Sequence, residues 1–295
     1  MGELAGLATA FFWAFTAILF TIAVRRVGAS IVNRTRLFFA LILLSTAHLL
    51  IHGEWLPFGA QPVRWFWLGL SGVLGLVIGD AFLFMAFGLV GSRLAMLLMA
   101  LSPVISTILA WLFLGQVLTI VQVLAILIAL SGVAWVGWIS NTEDARADKK
   151  VVPRGILFGL GAAFGQAMGL IAAQKGLQGE FSPLSGTLIR MLVAVMVIWA
   201  IALLRGQFRA TLEALGDRKA LRAIMGATVV GPFIGVWLSL VAISLAPVGI
   251  ASTLMSLTPI ILLPLTWWFF KERISGKVAF GTLAALVGVA LIFIS

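Results

Sequence analysis

Residues 95–116 read AMLLMALSPVISTILAWLFLGQ, and residues 251–272 read ASTLMSLTPIILLPLTWWFFKE. When the two stretches are aligned with a shift of 156 residues, nine of the 22 positions are identical, including Pro103 with Pro259. The same shift aligns several glycines: Gly75 with Gly231, Gly79 with Gly235, and Gly132 with Gly288. Nearer the N-terminus the shift falls to 154 and aligns Arg36 with Arg190. The chain is therefore interpreted as two copies of one module.

The composition of the chain is that of a membrane protein. Hydrophobic residues make up 62% of it, charged residues make up 10%, and the mean hydropathy is +1.17. Charged residues make up about a quarter of an ordinary soluble domain. A helix that spans a bilayer needs about 20 mostly apolar residues. Ten segments meet this requirement: 4–24, 31–51, 65–89, 94–114, 118–139, 155–174, 184–204, 222–245, 248–270 and 276–294.

Five spans per copy is an odd number, so two copies joined in series must sit in the membrane in opposite orientations. The predicted fold is an all-α integral membrane protein with ten transmembrane helices arranged as two inverted five-helix repeats. The first repeat covers residues 1–140 and the second covers residues 154–295. Residues 141–153 form a charged cytoplasmic linker between them.

The basic residues are distributed unevenly between the two faces of the membrane. Apart from Arg36 and Arg190, sixteen of them lie in the loops that follow spans 1, 3, 5, 7 and 9, whereas the opposite loops carry only Arg64 and Lys175. Loops rich in Lys and Arg stay in the cytoplasm. Both termini are therefore predicted to be non-cytoplasmic. This distribution also explains the net charge of +10 without nucleic acid as a partner.

The sequence lacks the residues or motifs that several kinds of chemistry require. Cysteine is absent and there are only two histidines, so we expect no metal site and no thiol catalysis. No glycine-rich phosphate-binding motif occurs in the loops, and we expect no cofactor. The loop at 205–222 has apolar residues at helical spacing among charges, which predicts a short surface helix.

Asp80, Arg36 and Arg190 lie well inside predicted spans, where charge is costly and is usually retained for a substrate or ion pathway. Asp80 is near the middle of span 3, and its partner in the repeat is Val236. Arg36 lies seven residues after Ala29 and Arg190 lies seven residues after Pro183, which is about 10 Å of helix in each case. Asp80 either couples proton movement to transport or contacts the substrate, or it forms a structural ion pair with Arg36. Each arginine either binds a substrate anion or caps carbonyl groups of a neighbouring helix.

Other polar and aromatic residues inside the spans are candidates for a cavity wall, although packing is the more common role for each. They are Gln166, Trp13, Ser102, Ser106 and Thr258. Proline removes a helical hydrogen bond and loosens a helix, which makes Pro103, Pro259 and Pro264 candidate hinges. Glycines recur every three or four residues in span 3 (Gly69 to Gly79) and in span 6 (Gly161 to Gly169). Such stripes favour close helix packing.

Several short motifs together resemble the EamA-type module of the drug/metabolite transporter superfamily. They are GDAF at 79–82, GSRLA at 91–95 and LSPV at 101–104 in the first copy, with LTPI at 257–260 and LVGV at 286–289 in the second. The resemblance implies a ten-helix carrier with a central cavity between its halves that works by alternating access. Many members of the family have both termini in the cytoplasm, which the distribution of charge here contradicts.

The leading hypothesis is a secondary active transporter of a small organic solute, such as an amino acid or other metabolite, that acts as a proton-linked exporter in the plasma (inner) membrane. Its expected partners are the substrate, the lipid bilayer and protons, and it is expected to work as a monomer or homodimer. The alternative is a membrane-embedded enzyme or a non-transporting scaffold that acts on lipid-soluble substrates. An enzyme needs a nucleophile, a base and an orienting group within reach of one another. No such set is evident in the sequence.

Overall fold

The computed structural model describes residues 1–114, 119–143, 151–179, 181–246, 251, 254–271 and 275–294. Within this part of the chain, every regular element is a helix. The α-helices are α1 (Gly2–Val27), α2 (Ala29–His52), α3 (Pro62–Ser71), α4 (Asp80–Met99), α5 (Ser102–Leu114), α6 (Ile120–Glu143), α7 (Val151–Leu177), α8 (Pro183–Leu204), α9 (Phe208–Ala214), α10 (Arg218–Thr228), α11 (Val236–Leu245), α12 (Thr258–Phe270) and α13 (Gly276–Ile294). Most of the predicted linker lies outside the described residues.

Helices of membrane-spanning length and composition dominate the fold. Six stretches qualify within the described residues: Gly2–Val27, Ala29–His52, Pro62–Met99, Val151–Leu177, Pro183–Leu204 and Arg218–Leu245. Shorter apolar helices run over Ile120–Val136, Thr258–Phe270 and Gly276–Ile292. Large apolar side chains such as Leu127, Phe164 and Trp268 are exposed, as expected for surfaces that face lipid rather than water. The prediction of an all-α membrane protein is confirmed at this level.

Two π-helices, which were not predicted, interrupt the third and eighth predicted spans at matching positions. The first covers Gly72–Gly79 and the second covers Val229–Gly235. At their ends, the Asp80 N–H donates to the Gly75 carbonyl, and the Val236 N–H donates to the Gly231 carbonyl. Both bonds span five residues, and the two are related by the 156-residue shift of the repeat. π-Helical turns of this kind are frequent at functional sites.

Two pairs of repeat-related helices pack against each other in antiparallel directions. Along α2 and α8, the Arg34 side chain bonds Gln207, Phe38 packs on Trp199, and His48 lies 2.9 Å from the Ser185 hydroxyl. Along α6 and α13, a Cβ at Gly132 would meet Gly281 and Ala285, and one at Gly288 would meet Ala125 and Ala129. Residue numbers rise along one helix as they fall along the other, so the members of each pair run in opposite directions.

The helices of the two sequence copies interleave. The first π-helix and α4 pack on α7, and the second π-helix and α11 pack on α1. The glycine stripes supply the first of these interfaces, since a Cβ at Gly165 would lie 2.7 Å from the Gly79 Cα, and one at Gly169 would lie 3.1 Å from the Gly75 Cα. The prediction that these stripes are packing faces is confirmed.

The helix boundaries differ from the predicted spans in three places. Gly91, with φ 74°, breaks the stretch from Asp80 to Met99, and a further turn at residues 100–101 precedes α5. Pro103 therefore lies in the first turn of α5. The prediction of one continuous helix over residues 94–114 is wrong at this point. α10 begins at Arg218, four residues before the predicted span, because the Asp217 carboxylate accepts hydrogen bonds from the N–H groups of Lys219 and Ala220. The predicted surface helix is α9.

Candidate functional site

A cavity of about 500 Å³ lies inside the bundle and is lined by helices from both sequence copies. All eight residues predicted as substrate or coupling candidates lie on its wall: Trp13, Arg36, Asp80, Ser102, Ser106, Gln166, Arg190 and Thr258. Two of the three candidate hinges, Pro103 and Pro259, also line it, whereas Pro264 does not. Within the described residues, the charged side chains on the wall are Arg36, Asp80 and Arg190.

Arg36 and Asp80 form a buried ion pair at the cavity wall. Arg36 Nη2 donates to Asp80 Oδ2. Asn33 Oδ1 accepts hydrogen bonds from Arg36 Nε (3.0 Å) and Nη2 (2.9 Å). Asn33 Nδ2 in turn lies 3.2 Å from the Leu76 carbonyl oxygen in the first π-helix. The ion-pair interpretation of Asp80 is thus the arrangement observed, and its role in proton coupling stays a prediction.

Aromatic rings enclose this ion pair. The Arg36 guanidinium carbon lies 4.9 Å from the ring centre of Phe84 and 5.7 Å from that of Phe20. Cations over aromatic faces are stabilised by the ring quadrupole, more strongly where water is excluded. Phe84 and Phe87 follow Asp80 by four and seven residues, which is the spacing that places side chains on one helix face. That spacing is a sequence signal for the two aromatic rings, although neither was among the predicted cavity residues.

Arg190 has a different environment. It is 2% exposed, and within the described residues it has no carboxylate within 4.0 Å and no hydrogen-bond partner for Nε. A Cβ at Gly75 would lie 3.5 Å from both Arg190 Nη2 and Gln166 Oε1, so both polar groups lie beside this glycine. A buried cation without such partners is costly. The carbonyl-capping interpretation gains no support from these contacts.

The two π-helices also position the remaining candidates. A Cβ at Gly235 would lie 3.1 Å from the Trp13 ring, and a Cβ at Gly79 would lie 3.4 Å from the Gln166 backbone nitrogen. Each π-helix thus ends against a cavity residue of the other sequence copy. The Thr258 hydroxyl donates to the Met255 carbonyl at 2.7 Å, whereas the buried Ser102 hydroxyl lacks a hydrogen-bond partner among the described residues. Ser106 is half-buried at the wall.

Basic residues gather at one end of the bundle. At that end, Arg26 pairs with Asp217 at 2.8 Å, and the Arg25 guanidinium carbon lies 5.4 Å from the Phe270 ring centre. The neighbouring wall residues Phe87 and Met96 are buried. Toward the other end, Gln174 is exposed and Gln122 is half-exposed. These more exposed residues of the cavity wall lie toward the end opposite the basic residues.

Comparisons with known proteins agree with this architecture. The model of the EamA-like transporter family matches residues 1–138 and again residues 153–294. A solved structure, named only as the crystal structure of a protein, has a TM-score of 0.68 to this chain at 18% sequence identity, covering 99% of this chain and 94% of the other. At that identity the likeness concerns the fold alone. Among curated proteins, none matches this chain.

Proposed function

Because the chain belongs to the EamA-like transporter family, which is part of the drug/metabolite transporter superfamily, we propose that it is a secondary active transporter. In this proposal it exports a small organic solute by alternating access and is driven by protons. The observation that carries the proposal is the cavity, since it contains buried polar groups and is walled by both sequence copies. Membership of a transporter family favours this function over a membrane-embedded enzyme or a scaffold.

The proposal includes two inverted five-helix repeats, residues 1–140 and 154–295, that supply ten spans. The antiparallel packing of α2 on α8 and of α6 on α13 supports it, as do the two π-helices at equivalent positions. Carriers with inverted repeats bind their substrates at the repeat interface near the bilayer midplane. In the proposed topology the basic end of the bundle faces the cytoplasm, and the more exposed wall residues Gln174 and Gln122 favour a cavity mouth on the outer side.

Asp80 is the proposed coupling group. In the structure it is held by Arg36, and a proton on Asp80 would remove the charge that binds that arginine. Release of Arg36 would then alter the part of the cavity wall where Phe20 and Phe84 contact the guanidinium. Proton binding and the conformational state would be linked through this one contact.

The test is transport by the purified protein in proteoliposomes, screened with a metabolite library under an imposed pH gradient. We expect accumulation of at least one small organic solute that collapses when a protonophore removes the gradient. Asp80→Asn should abolish the pH dependence of transport while downhill exchange remains measurable. An absence of flux for every solute, with binding intact, would contradict the carrier function.

A further inference from the structure

We propose that the cavity binds a small organic monoanion, and that Arg190 is the residue that binds its carboxylate. This inference rests on the proposed transport function, because it names the class of solute that the same cavity carries. An amino-acid substrate would be a zwitterion. The geometry of the cavity wall favours a solute without the ammonium group.

The first argument is the charge balance of the cavity. Its charged wall residues, within the described part of the chain, are two arginines and one aspartate. Asp80 is already bound by Arg36, which also has Asn33 as a partner. One positive charge, that of Arg190, is left over in a site largely removed from water. A single bound anionic group would neutralise it, since arginine presents a planar donor set that matches a carboxylate.

The second argument comes from the internal repeat. Arg36 and Arg190 occupy equivalent positions, and the position equivalent to Asp80 is Val236, which also lines the cavity. α8 packs on α11 as α2 packs on α4. The position equivalent to the carboxylate that pairs with Arg36 therefore carries an apolar side chain in the second copy. A substrate carboxylate would occupy the place of the missing one.

The third argument concerns the space around Arg190. Arg190 and Gln166 both line the cavity, and a Cβ at Gly75 would lie 3.5 Å from both Arg190 Nη2 and Gln166 Oε1. An anionic group that reaches the guanidinium from the cavity would therefore lie close to the Gln166 side chain. The rest of the wall includes Phe87, Met96 and Met99, which suit an apolar body; methionine in particular adapts to varied shapes. Within the described residues, the wall offers no free carboxylate to an ammonium group. A zwitterion would therefore bury an unpaired charge.

Three probes with one carbon skeleton separate these charge states: 3-phenylpropionate (monoanion), 3-phenylpropionamide (neutral) and phenylalanine (zwitterion). The full-length protein in phosphatidylcholine nanodiscs would be titrated with each by calorimetry. We expect the monoanion to bind at least about ten-fold more tightly than either analogue, because removing one partner of a buried charge pair weakens binding by that much or more. Equal affinity for the monoanion and the amide in the unmodified protein would overturn the proposal.

Variants of Arg190 test whether this residue causes the preference for the monoanion. Arg190→Gln should erase the preference for the monoanion, and Arg190→Lys should retain part of it. Arg64→Gln is the matched control, because Arg64 bonds the carbonyls of Gly176 and Gln178 and is not a wall residue. A preference for the monoanion that persists in a folded Arg190→Gln variant would overturn the assignment. So would competition by phosphatidylglycerol, which would identify a lipid headgroup as the ligand.

Proteoliposome flux distinguishes this inference from the proposed function. Arg190-dependent binding of 3-phenylpropionate without flux of any solute would contradict the carrier and leave the anion site in place. Flux of neutral or zwitterionic solutes that Arg190→Gln does not alter would contradict the anion site and leave the carrier in place.

Discussion

At the scale of single residues, the Arg36–Asp80 pair decides the stability of the cavity wall. Asp80→Val strands a buried guanidinium among Phe20 and Phe84, and loss of one partner from a buried pair typically costs about 3–5 kcal/mol. Asp80→Val combined with Arg36→Leu removes both charges and should recover most of that loss. Thermal unfolding of the unmodified protein, the single variant and the double variant in one detergent measures the loss of stability and its recovery. An unchanged unfolding temperature in the single variant would show that the pair is dispensable.

Asp217 provides a pH-dependent contact outside the membrane. Hydrogen bonds from the Ala220 N–H and from Arg26 hold the pKa of its carboxyl below the usual value, with a smaller lowering from the Arg26 charge and the Lys219 N–H. A lowered folded-state pKa stabilises the fold above the unfolded-state pKa of about 3.9, and this stabilisation is lost as the pH falls through the folded-state pKa.

Asp217→Asn tests this sign, because asparagine still caps α10 but carries no charge. We expect the unmodified protein to unfold at the higher temperature above about pH 5 and to lose that advantage on acidification. Unfolding temperatures of both proteins measured from neutral to acid pH give the answer. A difference that stays constant over the whole range would contradict the prediction.

At the scale of elements, the prolines of α12 have unequal roles. Pro259 lies in the first turn, where a backbone N–H would have no intrahelical acceptor, whereas Pro264 lies inside the helix and removes the bond to the Ile260 carbonyl. We expect Pro264→Ala to slow solute flux several-fold by stiffening α12. Pro259→Ala restores an N–H that needs no intrahelical acceptor, so it should slow flux less than Pro264→Ala does. Slowing by Pro259→Ala alone would return the hinge to the start of the helix.

At the scale of the whole molecule, the proposed orientation follows from the basic end of the bundle. A tag placed after Ser295 should be accessible from outside intact cells, and a tag within residues 141–153 should not. Impermeant labelling of both tags, before and after permeabilisation, measures the orientation. The reverse pattern would place the termini in the cytoplasm.

The interleaving of the two copies makes a second prediction at this scale. The first π-helix and α4 pack on α7, and the second π-helix and α11 pack on α1, so neither copy can complete these interfaces alone. Residues 1–140 and 154–295 expressed as separate chains should recover transport only when they are present together. Full activity from one of them would show that the cavity does not require both.

The sequence predicted a substantial part of this architecture because bilayer burial leaves strong signals. Long apolar runs marked the helices, and polar residues within those runs marked the cavity wall. The π-helices were missed, since bonds across five residues leave little trace in composition; the paired Gly79 and Gly235 were the only hint. The pairing of Arg36 with Asp80 was one of two interpretations. The rise per residue of a helix gives the depth of each side chain in the membrane, but it does not show which helices are neighbours.

The reciprocal contact between α6 and α13 has a consequence for how such a chain could originate. Gly132 lies against Ala285 just as Gly288 lies against Ala129. The two helices therefore contact each other through equivalent residues. A surface complementary to itself is what two separate copies of one polypeptide use to form a closed two-fold dimer. If the two copies descend from separate five-helix proteins inserted in opposite directions, the α6–α13 contact has the two-fold form through which they would have paired.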